Sequence, residues 1–194
     1  MGGLGRFNLC LGFIQYAAHM NAPVLSGLLA ATTLFWCVGL YNRLMRMRAR
    51  GLDALGSVEK HLRSYTSLIQ VQFPDEEGSY IPLEWARLVS GVKQLEQQCK
   101  AARAAPLQAA PLGALGQTVD GIEAEWLLLR SQPADLAGPT MPEAMQKLWD
   151  EAALKVRSAR GGFNQIVARY NEALQQFPAS LVVGLMGFQP AGNL

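Results

Sequence analysis

Hydrophobic positions in this chain follow two regimes that meet near residue 43. Between Phe7 and Asn42 there is no Asp, Glu, Lys or Arg. The densest part, "APVLSGLLAATTLFWCVGL" from Ala22 to Leu40, has 19 residues. That is close to the roughly 20 needed to cross about 30 Å of hydrocarbon as a helix. Four arginines then arrive within eight positions, Arg43, Arg46, Arg48 and Arg50. Trp36 and Tyr41 flank the exit, where amphipathic rings favour the headgroup level. The pattern predicts a transmembrane helix over 22–41, with the arginine side in the cytoplasm and the N-terminus outside, where Arg6 is the only charged side chain. A buried core helix is rarely this long and charge-free. A cleaved signal peptide or a lipidated Cys37 needs small residues where Phe35 and Trp36 supply bulk. Residues 1–21 show no clear period and read as an irregular extension, with Met20 a second possible initiator.

Beyond the arginines, apolar residues recur at spacings of three and four, the signature of helices with one buried face. Leu44, Leu55, Val58, Leu62, Tyr65 and Ile69 mark a first helix that runs on to about Gln72, before Pro74, Gly78 and Pro82. Trp85, Leu88, Val92, Leu95, Cys99 and Ala102 mark a second, and Ala104 to Gly113 reads as a connection. Leu115, Val119, Ile122, Trp126 and Leu129 mark a third, with a loop from Ser131 to Pro139. Thr140 and Glu143 form a capping box at the head of the fourth. That fourth helix is the most regular: Met145, Trp149, Ala152, Val156, Ala159, Phe163, Ile166, Tyr170, Ala173 and Phe177 alternate steps of four and three, and Pro178 ends it. The expected fold is all-α. An N-terminal transmembrane helix continues into an antiparallel up-down four-helix bundle over 42–177, packed in the coiled-coil manner.

No residue after Glu172 is charged. The tail, 178–194, is therefore expected to cap the bundle end or lie in the membrane interface. As helices, Tyr41–Gln72 and Glu143–Phe177 are about 48 and 52 Å long. Antiparallel packing would start the tail level with the arginines. About ten apolar residues, including Leu181, Val182, Val183, Leu185, Met186 and Phe188, are too few for a second span.

Two stretches carry a resemblance. One is Tyr41-Asn42 followed by Leu44 and the Arg-rich turn. The other is "SARGGFNQIVARYNEALQQFPASLVVGLMGF", Ser158 to Phe188, with Arg160, Asn164, Tyr170-Asn171, Phe177-Pro178 and Gly187-Phe188 in order. In these residues the chain resembles the LemA family, as a divergent member. Where the family usually shows a basic pair and then Asp-Leu-Ile-Pro, this chain has Arg63-Ser64-Tyr65-Thr66-Ser67-Leu68-Ile69. The resemblance implies a membrane-anchored helical bundle, with the quoted residues as structural signatures. It implies no catalytic role.

Composition narrows the chemistry. Of 194 residues, 16% are charged and the net charge is +2, too little for a nucleic-acid binder. Cys10, Cys37 and Cys99 are widely spaced and make no disulfide framework. There is no GxGxxG, no GxxxxGK[ST] and no HExxH. No Glu precedes a His by three, as a di-iron bundle requires. His61, on the polar side of the first helix beside Glu59 and Lys60, reads as a solvated histidine. Asp120, Glu123 and Glu125 read as a solvated face, and Cys99 as an inert thiol. The pairs Tyr41-Asn42 and Tyr170-Asn171 read first as polar groups that fix helix register. No catalytic, cofactor or metal residues are expected. The leading expectation is a scaffold or interaction protein of the inner membrane whose partners are the lipid bilayer and a protein, which includes its own copies. An accessory subunit of a membrane enzyme in envelope quality control is the alternative. A ligand- or metal-binding bundle is a weaker one.

Overall fold

The computed structural model describes residues 4–74, 80–132 and 141–194, with residues 4–22 described as backbone only. Gly78, the loop from Pro133 to Pro139, and Thr140 of the expected capping box lie outside the described residues. The chain divides into two compact units, Met1–Arg43 and Leu44–Leu194. All regular structure is helical: α1 Leu4–Gln72, α2 Leu83–Ala104, α3 Ala109–Arg130, α4 Glu143–Gln175 and the short α5 Ser180–Val183. No strand occurs among the described residues.

The first unit is the N-terminal part of α1. The irregular extension expected over 1–21 is instead helical from Leu4. From Pro23 onward this is the one helix among the described residues that is long and apolar enough to cross a membrane, by length and composition. Its apolar side chains, such as Leu25, Leu28, Leu34 and Phe35, are exposed. The hydroxyls within it are satisfied internally. Ser26 Oγ donates to the Pro23 carbonyl at 3.0 Å, Thr32 to Leu28 and Thr33 to Leu29, both at 2.8 Å. Hydrocarbon demands that kind of internal bonding of every polar group.

The second unit has a single apolar core. Every residue of the first-helix stripe is buried, Leu44, Leu55, Val58, Leu62, Tyr65 and Ile69, as are the α3 positions Leu115, Val119, Ile122, Trp126 and Leu129. On α2 the stripe is buried except Cys99, which is half-buried. At the centre, Trp149 of α4 stacks against Tyr65 of α1 (ring centroids 4.5 Å) and against Trp126 of α3 (4.2 Å). Phe73 and Trp85 meet edge to face at 5.1 Å across the α1–α2 connection. Helices α2 and α3 approach closely at Gly91, where a Cβ would lie 3.1 Å from Ile122 Cγ1.

Three expectations are corrected. Helix α3 begins at Ala109, inside the segment expected to be a connection. Pro111 is tolerated there because first-turn N–H groups have no intrahelical acceptor. Helix α4 is preceded by Pro142, with no side-chain cap. Phe177 is not on the seam: α4 stops at Gln175 and Phe177 is 81% exposed. Pro178 lacks the N–H that would continue the helix, so the chain leaves the seam just before it.

Candidate functional site

Most of the chemistry in the second unit converges where the C-terminal segment lies on α4. Asn164 and Asn171 are seven residues apart, each one position after a buried seam ring, Phe163 and Tyr170. Two turns of α-helix put them on one face, about 10 Å apart. Each side-chain amide makes a reciprocal pair of bonds with one tail residue. Asn171 Nδ2 donates to the Ala191 carbonyl at 2.8 Å, and Ala191 N–H donates to Asn171 Oδ1 at 2.8 Å. Asn164 Nδ2 donates to the Leu194 carbonyl at 2.8 Å, and Leu194 N–H donates to Asn164 Oδ1 at 2.9 Å. Three residues of extended chain span about 10 Å, the same distance. The two amides thus read the tail backbone as a neighbouring strand would. Tyr170 Oη adds a bond to the Gln189 carbonyl at 3.1 Å.

The opposite wall is made of small residues. Gly192 N–H donates to the Leu107 carbonyl at 3.0 Å. A Cβ on Gly192 would overlap Ala109 Cα, so no other residue fits. A Cβ on Gly116 would sit 3.0 Å from the Leu194 carbonyl carbon and 3.5 Å from Arg160 Nη2. Leu107 holds φ +65, a conformation costly for a branched side chain. Its side chain reaches the α1 backbone at Gly51 while its carbonyl meets Gly192. Ala191, Gly192 and Leu194 pack closely as a result, with Ala191 and Leu194 buried.

Arg160 engages α3. It pairs with Asp120 through both guanidinium nitrogens, the longer contact being Nη2 to Oδ2 at 3.2 Å. Hydrogen bonding from Arg160 holds the Asp120 carboxyl below its ordinary 3.8, against a smaller opposing effect of burial. A depressed carboxylate stabilises the fold above its unfolded value, and that contribution is lost as pH falls through the folded value. Asp120 is 61% exposed, so the pair is worth less than about 1 kcal/mol. Asp120→Asn is expected to lower the melting temperature slightly near neutral pH. Parallel melts in which the deficit does not shrink as pH falls through the carboxyl's depressed folded value would remove the ion pair as its cause.

Of the acidic cluster, then, Asp120 is paired. Glu123 is half-buried rather than solvated, as is Glu125. Glu125 lies 4.0 Å from Arg87. Glu59, read as part of a polar face, is buried at 6% exposure and accepts from Arg103 Nε at 2.6 Å. It borders a cavity of about 480 Å³ with Arg63, Thr66, Gln70, Glu96 and Cys99. Burial first, then the Glu59 carboxylate, pushes the Cys99 thiol up to about 11. Glu59 is engaged by Arg103 and the thiol stays protonated at neutral pH, so no activated nucleophile arises here. Alkylation of Cys99 by iodoacetamide is expected to be far slower than that of an unfolded control. Comparable rates at neutral pH would contradict this environment. Among the described residues no three of His, Cys, Asp and Glu are placed to hold a metal ion.

The remaining singled-out residues fall in two places. Trp36, Tyr41 and Asn42 belong to the first unit and are exposed, as is Arg43. Tyr170 and Asn171 belong to the second. Arg46, Arg48 and Arg50 lie on α1 in the second unit, and all three are exposed. There Arg48 lines a cavity of about 640 Å³ with Leu107, Tyr170, Gly187, Gln189 and Pro190. Burial raises the Tyr170 hydroxyl above its usual range, and Arg48 acts in the opposite sense. Gly187 has φ +72, the turn that sends Phe188 back onto the core. Pro178 is exposed. Sequence reasoning missed Gly116, Gly192, Ala109 and Leu107. The signal that was available is the equal offset of the two asparagines from the seam. No protein-family model matches the chain, and no match is found among curated proteins or solved structures.

Proposed function

We propose that this protein is a membrane-anchored scaffold or interaction protein of the LemA type, without catalysis of its own. The observation that carries the reading is an exposed, charge-free apolar helix whose polar groups bond internally, followed at once in the chain by arginines and a densely packed helical unit. In this reading residues 22–41 span the inner membrane. The N-terminus is outside, and the helical unit is in the cytoplasm as an antiparallel up-down four-helix bundle. Cross-helix pairs support that direction. Asp120 meets Arg160 and Arg130 meets Asp150, so numbering rises along α3 as it falls along α4.

The topology rests on the arginines. Replacing Arg43, Arg46, Arg48 and Arg50 together by Gln is expected to yield a mixed population of orientations, read by reporter fusions after Leu194. A native fusion active only outside the cytoplasm would reverse the orientation. Crosslinking in native membranes followed by mass spectrometry tests the function. Self-crosslinks or several partners are the expected result. One recurrent enzyme partner would make the chain an accessory subunit instead.

A further inference from the structure

The segment after α4 is apolar on two sides, and only one of them is covered. Ala179, Val183 and Phe188 are buried against the core. Phe177, Leu181 and Leu185, four residues apart, are 81%, 72% and 91% exposed. No charged residue occurs from Ala173 to Leu194. A surface turn in water ordinarily carries polar side chains, and a contiguous exposed apolar set marks a contact site.

We infer that Phe177, Leu181 and Leu185 form a lipid-contacting ridge that, with Arg48, seats the helical unit on an anionic bilayer surface. The inference rests on the membrane-anchored reading above and adds a second attachment to it. Several observations select lipid as the occupant. The ridge is continuous in the chain with Gly187 and Gln189, which share a cavity with Arg48. An exposed cation sharing a cavity with the same uncharged segment is the complement that suits anionic headgroups over acyl chains. Finally, three side chains expose well under the roughly 800 Å² that each partner of a stable protein interface buries. Shallow insertion needs no such area when an anchor already holds the chain at the surface.

The test uses the full chain in vesicles of phosphatidylcholine and phosphatidylglycerol. Cys10, Cys37 and Cys99 are replaced by Ala, and single cysteines are introduced as Leu181→Cys, Leu185→Cys or, as a control, Leu154→Cys on the exposed side of α4. Each carries an environment-sensitive dye, and each variant must melt like its parent. Brominated acyl chains are expected to quench the dye at 181 and 185 several-fold more than at 154, and aqueous iodide to do the reverse. If the chain floats with the vesicles but iodide quenches all three sites alike, the ridge faces water and the inference fails while the anchor stands. Protection at 181 and 185 from both quenchers would mean a protein covers the ridge, which also overturns it. A chain that does not float would remove the anchor and the ridge together.

Discussion

Replacing Asn164 and Asn171 together by alanine is expected to release residues 189–194 from α4 while the helices persist. The four bonds concerned are 2.8 to 2.9 Å long and join side-chain amides to backbone groups of buried residues. A net value near 1 kcal/mol for each bond gives about 4 kcal/mol. Release lets the freed backbone bond to water, which lowers the cost to roughly 2–4 kcal/mol. The direct reading is amide exchange: Ala191 and Leu194 N–H groups should pass from protected to fast exchanging. Gly192→Val provides an independent route, because its side chain has no space against Ala109. Protection of both amides surviving in either variant would refute the clamp.

Trp149→Ala is expected to be the most damaging single truncation in the core. Trp149 is 1% exposed and lies between two rings, so one substitution removes two stacking contacts. Truncating a buried large aromatic costs about 3–5 kcal/mol, because transfer and cavity costs add. Leu154→Ala, on the same helix but 68% exposed, should change stability by less than about 0.5 kcal/mol. Denaturant midpoints measure both. Similar midpoints for the two variants would mean that Trp149 is not at the centre of the packing.

The helical seams were legible because burial of one face imposes a period that survives in sequence. Leu44 through Ile69 and Leu115 through Leu129 are buried as their spacing predicts. On α4 the regularity misled in two places. Ile166 is only half-buried while its neighbour Val167 is buried, since an α-helix drifts by about 20° per heptad against a strict repeat. Phe177 matched the period yet lies past the helix end. Glu59 looked like part of a polar face, but its partner, Arg103, comes from 44 residues away.

By itself, the sequence determined the all-helical character, the apolar run that ends in arginines, and most of the core. Each follows from local spacing, and local spacing is what a helix converts into a face. The tertiary structure alone decided the tail. Asn164 and Asn171 bind backbone atoms of Leu194 and Ala191, and a bond to a backbone leaves no demand on the residue type at its far end. Gly192 and Gly116 are small because another segment passes close to them, and that closeness exists only after the chain has folded. The division of the tail into a buried set and the exposed Phe177, Leu181 and Leu185 has the same origin. All are apolar and uncharged in sequence, and only contact with the core distinguishes one set from the other.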